Sequence, residues 1–269
     1  FKSRSLARWE PEIVRPIVNA LIDEFIDAGE ADLVRAFAFE FPTRVITRLL
    51  GLPEEDLPTF RRRAVHLISY AVKYQRAFEA SEALKEYFLE QIDKRRSKPT
   101  EDIIGDLVTA EIDGEKLSDF EICATMVLCA VAGTDTTRHT ASFAAKALTE
   151  FPDQRRWLWE DFEGRIDSAI EEFLRWGSVV QNFRRTAVQE YTLGDQQILP
   201  GDKVVMMYGS GNRDKTVFGD PDTFRLDRHP NPHIAFGGGG THFCLGNQLS
   251  KSMLRSLFRE LHRQMPDFV

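Results

Sequence analysis

The stretch Ala235-Phe236-Gly237-Gly238-Gly239-Gly240-Thr241-His242-Phe243-Cys244-Leu245-Gly246 decides the reading of this chain. Four consecutive glycines open positive φ to the backbone and let it approach a flat partner closely. An amphipathic run, Asn247 to Gln264, follows Gly246 and predicts a helix. The stretch therefore predicts a tight loop that presents one thiol and then enters a helix. Helix N-terminal and loop N–H groups are expected to hold the Cys244 thiol pKa down.

Working outward, three chemistries compete for such a loop. Glycine runs make plain turns, and glycine-rich loops before helices also cradle phosphates. The run lacks the Lys-Ser/Thr pair of a nucleotide loop, and no strand–helix unit precedes it. Zinc needs neighbouring ligands, whereas Cys123 and Cys129 lie far upstream in an apolar segment. A single thiolate on a glycine loop also suits axial ligation of haem iron.

Bulk composition narrows the class. The 269 residues are 42% hydrophobic and 29% charged, as in ordinary globular proteins. A formal net charge of -7 argues against non-specific nucleic-acid binding. Three cysteines with no Cys-x-x-Cys point to a reducing compartment. The apolar run from Ile122 to Gly133 is shorter than a membrane span, and no signal-peptide pattern opens the chain. The expectation is a cytoplasmic protein, incomplete at its N-terminus because Phe1 is not a methionine.

Periodicity predicts a mainly α chain with a small β portion. Helices are expected over Trp9–Asp27 (Ile13, Ile17, Leu21 and Phe25 buried) and Glu30–Leu50 (Leu33, Phe37, Phe41 and Val45 buried). Further helices are expected over Leu57–Ile68, Phe78–Arg95 and Asp102–Glu111. Ser118-Asp119-Phe120-Glu121 is a capping box for a long helix to Thr149. Gln154–Asp161 and Arg165–Trp176 follow. Short strands are expected at Phe183–Ala187, Tyr191–Leu193 and Lys203–Met207, with Pro200-Gly201-Asp202 as a hairpin turn. Asn212–Pro232 is a coil long enough to suggest function. With no repeat or linker, residues 1–269 read as one domain.

Two more patterns stand out. Ala132-Gly133-Thr134-Asp135-Thr136-Thr137 puts glycine and β-branched hydroxyls inside the long helix, against local propensity. A Thr hydroxyl bonding back to its own helix can bulge or kink it, and Gly leaves room for a ligand. A partly exposed polar turn is the plainer account. Glu172-Phe173-Leu174-Arg175 places Glu and Arg at i, i+3, which on a surface helix is worth little.

Taken together, these segments resemble the cytochrome P-450 family of haem-thiolate monooxygenases. His242, Cys244 and Gly246 fit the family's cysteine loop, and Gly240 takes the place of its earlier glycine. Phe236 lies eight positions before Cys244, one more than usual, so Phe236 and Gly237 both stand as candidates to pack under the haem. The resemblance implies Cys244 as the axial ligand of haem b and Asp135 with Thr136 as the acid–alcohol pair that delivers protons. It also implies that Ala132 and Gly133 lie over the haem and that Thr134 and Thr137 are structural. Glu172 and Arg175 would hold the coil that carries the loop. The arginine usually preceding the coil phenylalanine is replaced by Thr223 before Phe224, which leaves Arg225 and Arg228 as substitutes. His242 and Arg185, favoured over Arg184 by the Arg-Thr-Ala context, are implied as propionate partners.

The same resemblance implies dioxygen and two electrons from NAD(P)H through a reductase and a ferredoxin, since no flavin or iron–sulfur segment is present. Lys251, Arg255 and Arg259 recur every four residues and form a candidate basic stripe for an acidic ferredoxin, with a solvated helix face as the alternative. Val179 and Val180 are the candidate apolar pocket residues. The wording of Phe183-Arg184-Arg185-Thr186-Ala187 and Asn231-Pro232-His233 resembles actinobacterial members acting on methyl-branched lipids and sterol side chains. The chain is expected to be an internal fragment of such an enzyme. Two rivals are a haem-thiolate peroxygenase or isomerase, and a haem-free helical fragment.

Overall fold

The computed structural model describes residues 3–68 and 73–268. Pro16 shows how the first helices are built. It has no N–H to give to Glu12, and the chain widens into a π-helical segment, Glu10–Val14, between α1 (Ser3–Trp9) and α2 (Arg15–Asp23). The wider turn rotates the buried face by one position, so Val14 and Val18 are buried where Ile13 and Ile17 were expected. Leu21 and Phe25 are buried as the spacing predicts.

Packing divides the chain into two compact units, with the boundary between Arg138 and His139. In the first, a π-helical segment, Val34–Ala38, and α3 (Phe41–Leu49) bury Phe37, Phe41 and Val45. α4 (Leu57–Ile68) packs on α5 (Tyr74–Ser97), which is longer at both ends than its apolar pattern. Asp102 caps α6 (Ile103–Thr109) by accepting the Gly105 N–H at 2.8 Å. Arg95 is 5% exposed and joins this cap to the end of α3. It donates to both Asp102 oxygens at 2.9 Å and to the Gly51 carbonyl at 2.7 Å. β1 (Glu111–Ile112) and β2 (Glu115–Lys116) pair across an Asp113-Gly114 turn, with both turn residues at positive φ.

α7 (Asp119–Glu150) runs through the boundary. Its capping box forms as read: the Ser118 N–H donates to Glu121 at 2.8 Å, and the Glu121 N–H returns to the Ser118 hydroxyl at 3.3 Å. By length and composition alone this helix is long and apolar enough to cross a membrane, as core helices of water-soluble proteins also are.

The second unit continues with α8 (Pro152–Glu160) and α9 (Phe162–Gly177). β3 (Asn182–Thr186) then leads to β4 (Tyr191–Leu193), β5 (Gln196–Ile198) and β6 (Lys203–Met207). Pro200-Gly201-Asp202 is a turn, but it joins strands that pair elsewhere: β4 with β5, and β3 with β6. A short α10 (Tyr208–Gly211) precedes the coil, and α11 (Asn247–Gln264) has the bounds its amphipathic run predicts. Phe173 of α9 meets Phe258 of α11 at 4.9 Å between ring centroids, and Phe224 of the coil packs on Phe151 and Trp176.

Candidate functional site

In the second unit, the cysteine loop is shaped by its glycines. Gly237, Gly239 and Gly240 have φ of 97°, 95° and 77°, which a side chain would oppose. The loop closes where the Cys244 N–H donates to the Phe236 carbonyl at 3.0 Å. Gly237 N–H bonds Ile234 at 2.9 Å, and Asn247 Nδ2 donates to the Cys244 carbonyl at 2.7 Å. Cys244 is half-buried between two exposed apolar neighbours, Phe243 (44%) and Leu245 (67%). The Phe236 ring lies against Phe243 and His233. His242 is exposed.

The thiol differs from expectation in one respect. Burial raises the Cys244 pKa, and the Gly246 N–H lowers it by less, so without a metal the thiol is held protonated.

Glu172 and Arg175 on α9 are fully buried, and they organise the coil before the loop. Arg175 chelates Glu172 through Nε and Nη2, each at 2.7 Å, and donates to the carbonyls of Asn212 and Pro221 at 2.9 and 2.8 Å. The substitute left open by the sequence is Arg228. Its Nε donates to Glu172 Oε2 at 3.1 Å, while Arg225 reaches Glu172 only through its backbone N–H at 2.9 Å. Asn231 adds a further donor at 3.1 Å. Sequence reasoning missed Asn212, whose Oδ1 accepts the Ile234 N–H at 2.8 Å and whose Nδ2 donates to Ser178 at 2.8 Å. In the sequence, Asn212 is marked only as the head of the coil, in Asn212-Arg213-Asp214.

Arg185 lies in exposed β3, and the register puts it on one face with Phe183, Val204 and Met206. Arg184 shares the other face with Val205 and Met207. Val179 and Val180 are half-buried between α9 and β3. The basic stripe on α11 is not a free positive patch. Lys251, Arg255 and Arg259 pair with Glu171, Asp167 and Glu163 on α9, a matching acidic stripe.

In the first unit, α7 carries the Ala132–Thr137 stretch without a break in α geometry. Thr136 Oγ1 does bond back, to the Ala132 carbonyl at 2.8 Å, and buried Thr134 does the same to Ala130. Asp135 forms an ion pair with Arg138, whose guanidinium sits 4.8 Å above the Phe39 ring. Ala132 is exposed. Gly133 answers a packing need: a Cβ there would come within 2.6 Å of Ile46 Cδ1.

The comparisons with known proteins bear on these features together. The family model for cytochrome P450 matches residues 165–262. The methyl-branched lipid omega-hydroxylase of Mycobacterium tuberculosis is 39% identical over all of this chain. A Mycobacterium marinum cytochrome P-450 in complex with pseudoionone superposes with a TM-score of 0.93 at 42% identity, covering 99% of this chain and 66% of that one. A Bacillus megaterium protein crystallised with testosterone gives a TM-score of 0.92 at 33% identity, covering 99% and 73%.

The chain belongs to the cytochrome P-450 family. It spans 64% of the length of the omega-hydroxylase it matches. As in the P-450 relatives, the fold is mainly helical with a small β content.

The residues of this P-450 chain fit a haem. Among the described residues, no group of three or more His, Cys, Asp or Glu is gathered to hold a metal. A lone thiol suits a metal whose other ligands come from a macrocycle. The exposed apolar side chains of Phe243, Leu245 and Phe183 suit a flat apolar group, and the exposed Arg185, on the Phe183 face of β3, and His242 are donor types that suit its carboxylates.

Proposed function

We propose that this chain carries the core of a haem-thiolate monooxygenase, acting on a hydrophobic substrate such as a methyl-branched lipid or a sterol side chain. The observation that carries this reading is the loop itself: one thiol, closed by the Phe236 carbonyl and flanked by exposed Phe243 and Leu245. We read both packed units as parts of one such domain, working in the cytoplasm.

When bound, haem iron supplies dioxygen activation and insertion of one oxygen atom into a C–H bond, with two electrons delivered from NAD(P)H by a reductase and a ferredoxin. Cys244 would hold the iron through its sulfur, in the thiolate form that metal ligation requires. Glu172, with Arg175, Arg228 and Asn231, holds the coil so that the loop has one geometry. His242 and Arg185 bind propionates. Thr136 and Asp135 move protons; Asp135 must turn from Arg138 to do so, and the Thr136 hydroxyl must turn from the Ala132 carbonyl. Val179 and Val180 exclude water on the substrate side. Lys251, Arg255 and Arg259 meet an acidic ferredoxin only by sharing cations already paired with α9, so the docking surface is a mixed-charge ridge.

The deciding experiment is the spectrum of the ferrous, carbon monoxide-bound protein. A strongly red-shifted Soret band supports thiolate ligation, and a band of histidine- or thiol-ligated type refutes it. Substrate-dependent NADH consumption with a ferredoxin and its reductase then tests the oxidation against branched fatty acids and sterols. Turnover on peroxide alone, with none on NADH, would favour the peroxygenase rival.

A further inference from the structure

The cysteine loop has an entry stem at His233 and an exit stem at Lys251, and one carboxylate reaches both. Glu171 of α9 accepts from His233 Nε2 at 2.8 Å through one oxygen and from Lys251 Nζ at 2.5 Å through the other. His233 Nδ1 accepts the Ala235 N–H at 3.2 Å, so Nε2 is the nitrogen that carries the proton to Glu171. Lys251 also lies 5.6 Å above the Phe236 ring, and the Phe236 carbonyl is the acceptor that closes the loop on Cys244.

We propose that Glu171 is a positioning residue for the Cys244 sulfur, a clasp that ties both stems of the cysteine loop to α9. The proposal rests on the reading of Cys244 as the iron ligand. Glu171 belongs to the α9–α11 ladder, but its position sets it apart from the other rungs. Glu163 and Asp167 are 68% and 74% exposed and, among the described residues, pair with α11, whereas Glu171 is 32% exposed and also holds His233, itself 5% exposed. Burial raises the Glu171 pKa, but hydrogen bonds from His233 and Lys251 lower it by more, so the clasp is charged at neutral pH. Charge-assisted bonds of this kind are stronger than neutral ones.

The test compares Glu171→Ala with Glu163→Ala, which breaks a rung of the same ladder away from the loop. In the purified protein, amide hydrogen exchange of residues 235–246 is expected to rise roughly tenfold in Glu171→Ala, the scale of losing a hydrogen bond to a charged group, and to stay unchanged in Glu163→Ala. In the haem-loaded protein, Glu171→Ala is expected to lose the red-shifted carbon monoxide band at lower urea, while Glu163→Ala keeps it. His233→Ala should repeat the exchange result, and His233→Gln, which keeps a donor near Nε2, should restore protection. Those two variants decide the matter if Glu171→Ala does not fold. Equal effects of Glu171→Ala and Glu163→Ala, or wild-type exchange in both, would overturn the clasp. A wild-type protein without the red-shifted band would refute Cys244 ligation instead, and with it the clasp's effect on the sulfur, leaving the exchange result to judge only the tie between loop and α9.

Discussion

Arg228 Nε donates to Glu172 Oε2 at 3.1 Å across 56 positions of sequence, with both side chains withdrawn from water. This contact supplies the third charge of the buried network, and it makes Arg228 and Arg225 unequal although they lie three residues apart. Arg228→Ala leaves Glu172 short of a cation in a desolvated site and is expected to cost about 3 kcal/mol. Arg225→Ala removes only a surface pair with Asp227 and should stay within about 0.5 kcal/mol. Urea midpoints of the two variants check this, and equal losses would refute it.

Asp102 carries a pH dependence. Burial raises its carboxyl, but the hydrogen bonds from Arg95, the Gly105 N–H and Thr100 outweigh that, and its pKa lies below the ordinary 3.8. A depressed folded pKa contributes stability that is present above 3.8 and is lost as pH falls through the lower folded value. Asp102→Asn should therefore lower stability at neutral pH and flatten the acid limb. Thermal melts between neutral and strongly acidic pH measure both effects, and parallel curves would contradict the assignment.

Cys244 should be a slow nucleophile in haem-free protein. With its pKa raised, alkylation of the Cys244 peptide is expected to remain slow until pH exceeds the ordinary thiol value of 9.0. A thiolate-like rate at neutral pH would show that the loop N–H groups dominate after all. Cys244→Ala should abolish the thiolate-type carbon monoxide spectrum, and an unchanged spectrum would mean another ligand.

Gly133 and Ile46 should be coupled. Gly133→Ala gains roughly 1 kcal/mol of helix propensity but meets Ile46 Cδ1 at 2.6 Å. The substitution is expected to be neutral or destabilising alone and less costly in an Ile46→Ala background, which removes both Cδ1 and Cγ1, the latter 2.9 Å from the added Cβ. Additive effects in a double-mutant cycle would rule the contact out as the reason for glycine.

Thr136→Ala should bind haem and keep its fold, since it removes a single hydroxyl that bonds back to Ala132. Product per NADH is expected to fall several-fold, with peroxide rising in its place, as removal of a proton donor requires. Wild-type coupling would defeat the proton-delivery role.

Much of this molecule was legible residue by residue. The bounds of α11 follow from its apolar spacing, the loop's positive φ values from its glycines, and the α7 start from Ser118 and Glu121. The misread stripe at Ile13 and Ile17 traces to one proline that widens a helical turn. The misassigned hairpin at Pro200 traces to strand pairing, which turn chemistry does not encode.

By itself, the sequence determined the helical framework, the thiol-bearing loop and the presence of the Glu172–Arg175 pair, because near neighbours along the chain set periodicity, caps and φ. Only the tertiary structure decided which distant charges meet. It joined Arg228 to Glu172, turned the basic stripe of Lys251, Arg255 and Arg259 into rungs against α9, and raised the Cys244 pKa by burial. Those outcomes depend on desolvation and on partners tens of residues away, and both come into existence only when the elements pack.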